Sequence, residues 1–92
     1  MGAGEVEIGL VEDYFAHVGV AALKITGDSV QIGDVLHIKG HTTDTLQEVS
    51  SIQRDHEDVR EAFNGEAVGI KVNEKVRAHD IVYKVISGEQ NY

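Results

Sequence analysis

Apolar residues alternate with polar or small ones through much of this chain. In Glu5-Val6-Glu7-Ile8-Gly9-Leu10 the alternation sets Val6, Ile8 and Leu10 facing inward, and in Ala67-Val68-Gly69-Ile70-Lys71-Val72 it sets Val68, Ile70 and Val72 on one face. A period of two is that of a half-buried strand. The segment His17-Val18-Gly19-Val20-Ala21-Ala22-Leu23-Lys24-Ile25 is small and apolar on both faces, as expected where a strand is covered on both sides or another backbone comes close. Between the runs lie turn residues, Thr26-Gly27-Asp28-Ser29 and Asn64-Gly65.

The run Val30-Gln31-Ile32-Gly33-Asp34-Val35-Leu36-His37-Ile38-Lys39-Gly40 has a looser counterpart in Arg77-Ala78-His79-Asp80-Ile81-Val82-Tyr83-Lys84-Val85. In each, an aspartate able to bond back to its own backbone closes a turn, and a β-branched run opens after it. The expected strands are Val35 to Lys39, ending at Gly40, and Ile81 to Ile86. Together these signals predict an all-β chain: one closed or nearly closed antiparallel β-barrel of about six strands over residues 5–86. Residues 1–4 are expected to be a loose end and residues 87–92 a polar tail.

The middle of the chain is ambiguous. Leu46, Val49, Ile52, Val59 and Phe63 fall near a helical spacing, and Thr45 with Glu48 makes a plausible capping box, so residues 44–63 read as a helix. The β-prone entry Thr42-Thr43-Asp44-Thr45 and the polar His56 in mid-stripe argue otherwise. A bulged strand from about Thr43 to Gln53, then a short helical turn near Val59 to Phe63, accounts for the same residues.

Composition narrows the function. With 92 residues the chain is one small domain, burying only roughly 60 to 65% of its unfolded surface, so a deep catalytic pocket is hard to house. Zero Cys excludes disulfides and thiolate metal sites. No apolar run approaches the roughly 18 residues of a membrane span, no secretory signal is evident, and Val6 stands where a myristoylation motif needs Ser or Thr. The expectation is a soluble, cytoplasmic protein. Its formal charge of −8 supplies no basic stripe for phosphate contacts. The acidic clusters Glu5 and Glu7, Glu12-Asp13, and Asp55-His56-Glu57-Asp58 with Glu61 are either solvated surface or a face that steers a basic partner.

Candidate chemistry is sparse. His37 and His41 are four apart with Asp44 three later, but on a strand leading into a turn this spacing does not impose convergence on a metal. Asp55-His56-Glu57-Asp58 lacks the alternating ligands and turn glycine of a calcium loop and reads as a solvated loop. Ser29, Ser50, Ser51 and Ser87 sit in no nucleophile elbow. No cofactor, metal site or catalytic group is expected.

The runs Phe15 to Ala22, Ile32 to Gly40, Val49 to Gln53, Gly65 to Ile70 and Arg77 to Val85 resemble, in order, the second domain of translational GTPases such as elongation factor Tu. Ile38 to Asp44 and Val76 to Val85 are similar to stand-alone translation elongation factor-like proteins. The same barrel resembles the C-terminal domain of collagenase-like peptidases and tRNA-modifying relatives. The resemblance tips the middle toward strand. It implies a non-catalytic binding module that contacts the translation apparatus, through a local RNA element or a basic ribosome-associated protein, with Gln53, Arg54, His56, Glu57 and Asp58 as candidate contacts. An accessory subunit of a collagenase-like peptidase or tRNA-modifying enzyme is the other reading. No phosphate-cradling Gly-Lys-Ser/Thr loop is present, so GTP binding by this chain is not expected. Gly19 matches the glycine that a basic residue commonly precedes in the GTPases, but Val18 stands before it here. Gly33, Gly40, Gly65 and Gly69 match as turn and close-packing positions.

Overall fold

The computed structural model describes residues 4–86, so the expected polar tail and all of the loose N-terminal end but Gly4 lie outside the described residues. Ten strands and no helix appear among these residues. They are β1 (Gly4–Phe15), β2 (Val20–Ile25), β3 (Val30–Gln31), β4 (Val35–Lys39), β5 (Asp44–Glu48), β6 (Ile52–Arg54), β7 (Glu57–Val59), β8 (Glu61–Ala62), β9 (Ala67–Lys71) and β10 (Ile81–Ile86). Eight pair antiparallel in the order β5-β4-β10-β1-β2-β9-β6-β7, and β3 pairs with β8 in a second, two-stranded sheet. The all-β class and the antiparallel pairing agree with the sequence. The six-strand count and the closed barrel do not: the main ladder runs from β5 to β7 without closing on itself.

Much of the difference lies in β1. It continues to Phe15 because two register shifts, between Glu7 and Gly9 against β10 and between Val11 and Asp13 against β2, let one long strand bend and change neighbours. The same shifts move the inward phase. Ile8 and Val11 are buried completely and Leu10 is half-buried; Val6, before the first shift, keeps the row of buried Leu36 through Lys84 and is still 36% exposed. Gly9 makes the bend possible, since a Cβ there would stand 2.2 Å from the Lys24 carbonyl oxygen.

Residues 44–63 form neither the helix nor the helical turn near Val59 to Phe63. Thr45 and Gln47 point inward while Leu46 is 62% exposed, a period of two that β4 fixes by pairing His37 with Leu46 and Leu36 with Gln47. The expected His17 start of the second strand also shifts, because Ala16 to Gly19 make a turn in which the Gly19 N–H donates to the Phe15 carbonyl at 2.9 Å. Gly19 takes φ +67° there, a value that glycine adopts without steric cost.

The core is one cluster that includes Ile8, Leu23, Ile25, Leu36, Ile38, Ile52 and Ile70, each side chain contributing about 1.5–3 kcal/mol on burial. Gln47 fastens the β5 end of the ladder to the far end of β9. Its amide nitrogen donates to the Lys71 carbonyl at 2.7 Å and its amide oxygen accepts from the Asn73 N–H at 2.9 Å, so a side chain stands in for a peptide group.

The two aspartate turns form as the sequence predicts. The Gln31 N–H donates to the Asp34 carboxylate at 2.8 Å, and the Arg77 N–H to the Asp80 carboxylate at 2.9 Å. Each turn also grips a buried valine of a neighbouring segment through two backbone bonds. Val49 accepts from the Gly33 N–H and donates to the Asp34 carbonyl; Val11 accepts from the His79 N–H and donates to the Asp80 carbonyl. The strands after the turns, β4 and β10, pair so that His37 faces Tyr83, Leu36 faces Lys84 and Ile38 faces Val82. Val30 to Lys39 aligns without a gap on Val76 to Val85, so this register relates the two units by a local pseudo-two-fold axis through the His37–Tyr83 pair.

Candidate functional site

The outer face of β2, β9 and β6 is concave. Cross-strand register sets Asp13, Ala22, Gly69, Gln53 and Asp58 in one row across β1, β2, β9, β6 and β7. The middle of that row has almost no side chain. A groove of about 550 Å³ opens over it, with Ala22, Ala67 and Gly69 as floor, Phe15, Val18 and Val20 along one side, and Gln53, Asp55 and His56 along the other. Phe15 is 42% and Val18 51% exposed, so two bulky apolar side chains at the end of the β1–β2 hairpin face solvent. Gly69 keeps the floor low: a Cβ there would already press on Val20 at 3.3 Å.

The opposite wall is the β6–β7 hairpin. Asp55 and His56 have φ of +54° and +67°, the conformation of a two-residue turn whose twist matches the flanking strands. Asp55-His56-Glu57-Asp58 is exposed throughout, as expected of a solvated segment, but forms a tight tip followed by strand instead of a loop. Asp and His tolerate the left-handed region better than bulkier residues do. The Gln53 amide donates to Asp58 at 3.1 Å, tying the two strands of this wall.

Of the residues the sequence singled out, Gln53 and His56 line the groove and Asp58 closes its row, while Glu57 lies opposite Arg54 in the ladder. Arg54 is held elsewhere. Its guanidinium donates to both oxygens of Glu66 at 3.1 Å. Glu66 also accepts from the Phe63 N–H, and that bond first, with Arg54 adding to it, holds its carboxyl below the usual value against the opposing effect of burial. The apolar half of the groove was missed. Its signal was present in the outward phase of β2 and β9, where Val20, Ala22, Ala67 and Gly69 stand at positions that an ordinary half-exposed strand gives to polar residues.

A second polar cluster lies around His37 on the outer face of β4. Its Nδ1 is 2.7 Å from Glu5 and its Nε2 2.5 Å from Asp44. Asp44 first, then Glu5, raise the His37 pKa above its ordinary value of 6.5, while burial opposes them. Asp44 is held below the usual carboxylate value, chiefly by the same bond. His41 is exposed in the loop after Gly40, and it is Glu5 of β1 that joins Asp44 beside His37. Both ring nitrogens are engaged by carboxylates, an arrangement of an ion-paired imidazolium.

No protein-family model matches the chain. It is 42% identical over 80 residues, 86% of its length, to an uncharacterized protease of Methanocaldococcus jannaschii. It is 33% identical over 87 residues, 94% of its length, to a collagenase of Porphyromonas gingivalis. The chain spans about a fifth of the length of these curated relatives, 19% and 21%. Among solved structures it is similar to the C-terminal domain of a Geobacillus thermoleovorans protein described as a U32 peptidase, with a TM-score of 0.80 at 20% identity over 86% of this chain and 91% of that one. It also superposes on GDP-bound aIF5B from Aeropyrum pernix, with a TM-score of 0.59 at 16% identity, covering 91% of this chain and 15% of that one. These likenesses overturn the translation-factor reading and the binding of the translation apparatus inferred from it. The turns and glycines that suggested it encode strand geometry, which aIF5B shares at the level of fold, whereas the higher sequence identity lies with the protease and the collagenase. Among the described residues no helix is long and apolar enough to cross a membrane.

Proposed function

We propose that this chain is the accessory β-domain of a collagenase-like peptidase of the U32 type, and that it binds rather than cleaves. The observation that carries this reading is the 42% identity to a protease over 86% of this chain, which is only 19% of that protease. A segment of that size accompanies a catalytic unit more readily than it replaces one. The chain has no Cys, and both ring nitrogens of His37 are bonded to carboxylates, which leaves neither to activate a nucleophile. The binding surface in this reading is the groove between Phe15 and His56. Its walls are two hairpin ends carried on a packed sheet, the usual arrangement for a preformed site.

The finer architecture belongs to the same proposal. The sheet is read as an incompletely laddered barrel, with the Gln47 side chain and the β3–β8 pair spanning the gap that backbone hydrogen bonds leave open.

Cross-linking in the native cell, followed by mass spectrometry of peptides from this chain, tests the assignment. The expected result is cross-links to a peptidase-like segment, in the same chain or another, together with no turnover of gelatin by the purified 92-residue chain. Gelatin cleavage by that chain alone, or cross-links dominated by ribosomal proteins, would overturn it.

A further inference from the structure

We propose that the groove is a docking site for an extended peptide segment in which one bulky apolar side chain is flanked by basic side chains. The inference rests on the reading of this domain as a binding module, and it does not depend on the peptidase assignment. Three observations converge on that chemistry.

The first is shape. The floor of Ala22, Ala67 and Gly69 leaves a depression beside Phe15 and Val18, and its volume of about 550 Å³ accommodates a large side chain together with adjoining backbone. Phe15 and Val18 stay exposed, although covering them would remove apolar surface from water.

The second is charge. The row over the floor begins at Asp13 and ends at Asp58, with Asp55 on the hairpin tip between them and solvent. Asp13 uses one carboxylate oxygen on the Tyr14 N–H and Asp58 one on the Gln53 amide, which leaves the second oxygen of each for an incoming cation. The nearby cations Lys24 and Arg54 are engaged, with the Gly65 carbonyl and with Glu66, while Lys71 lies beyond the row, opposite Val20. An apolar slot with an acidic residue at each end selects an apolar side chain between two positive ones. In a chain of net charge −8, the same acids repel a phosphate backbone.

The third is preorganisation. The tight turn at Asp55 and His56, together with the Gln53–Asp58 bond, fixes the wall before any ligand arrives, which lowers the ordering cost of binding.

The test uses the full chain and fluorescein-labelled Arg-Gly-Phe-Gly-Arg, whose two Arg side chains share the Phe face of an extended backbone, with Glu-Gly-Phe-Gly-Glu, Arg-Gly-Ala-Gly-Arg and single-stranded oligouridine as comparison probes, followed by fluorescence anisotropy. Saturable binding of the Arg-Gly-Phe-Gly-Arg peptide, at least about tenfold tighter than either altered peptide and weakening as salt rises, is the expected result. Ala22→Leu fills the floor from the solvent side and should cost at least about tenfold in affinity. Asp13→Asn combined with Asp58→Asn should weaken binding and flatten its salt dependence. Amide shift changes in the unmutated chain provide a readout that does not depend on whether the Leu variant folds; they should concentrate at Phe15 to Ala22 and at Gln53 to His56. Absence of saturable binding, equal affinity for the Glu-Gly-Phe-Gly-Glu peptide, shift changes located elsewhere, undiminished binding by folded Ala22→Leu, or tighter binding of oligouridine would each overturn the proposal. None of these outcomes alters the cross-linking result, so the two readings fail separately.

Discussion

The two turn-and-strand units, Val30 to Lys39 and Val76 to Val85, make the same local hydrogen bonds and grip a valine in the same way, yet the fold uses them differently. Asp34 is half-buried, and the third position of its turn is Gly33 at φ +96°, where glycine carries no penalty. Asp80 is 4% exposed and its turn places His79 at φ +79°. The residue that follows the first unit packs against the second, because a Cβ on Gly40, just after β4, would collide with the Asp80 carboxylate. Similar local sequence therefore yields equivalent turns of unequal weight, and the weight comes from what packs against the aspartate.

The largest expected effect separates the two aspartates. Asp80→Ala should destabilise the chain by about 2 kcal/mol, since it leaves the Arg77 N–H without its partner in a part-buried setting, whereas Asp34→Ala, at an exposed bond, should cost about 1 kcal/mol. Asp80→Asn keeps an acceptor oxygen and should fall between them. Urea unfolding midpoints check the order, and equal losses at both sites would break the comparison.

Next comes Gly40→Ala. The added methyl meets the Asp80 carboxylate directly and should cost about 1–3 kcal/mol through overpacking, or roughly 4–8 °C in thermal midpoint for each kcal/mol. Combined with Asp80→Ala it should cost less than the two losses added together, because the clash disappears with the carboxylate.

Exchanging the third turn residues gives a smaller effect of opposite signs. Gly33→His should lose about 1 kcal/mol by forcing a side chain into the left-handed region, while His79→Gly should gain up to about 0.5 kcal/mol as relieved strain exceeds the added chain entropy. Calorimetric midpoints that move in the same direction would refute the strain argument.

The smallest expected effect concerns the pseudo-axis, where one unit presents His37 and the other Tyr83. The folded-state pKa of His37 is raised by Asp44 and Glu5, so the stabilisation of this cluster is complete below the unfolded histidine value of 6.5 and is lost as pH rises through the folded value. Asp44 behaves in the opposite sense, its contribution being lost as pH falls through a folded pKa held below 3.8. Ring-proton NMR should show His37 titrating above its ordinary value of 6.5, and His37→Gln should abolish the loss of stability above pH 6.5. An unshifted His37 titration would remove the ion-paired imidazolium from the description.

The sequence by itself determined the all-β class, the two aspartate turns, the Asn64-Gly65 turn, and the strands Val35 to Lys39 and Ile81 to Ile86. Each is written in contiguous residues: a carboxylate three positions from the N–H it accepts, a glycine where φ is positive, an alternation of period two. What the tertiary structure decided depends on partners distant in the chain. Leu46 belongs to a helical stripe only until β4 pairs with its strand and turns it outward. Leu10 loses its inward place because β1 bulges between Glu7 and Gly9, which sets Gly9 opposite buried Val82 and Leu10 opposite Ile81. The groove follows the same rule, since Phe15, Ala22, Gln53 and Gly69 are unremarkable in sequence and become one surface through the register of four strands. Local chemistry sets each turn and each strand's alternation, but only the pairing of strands determines which side chains share a face.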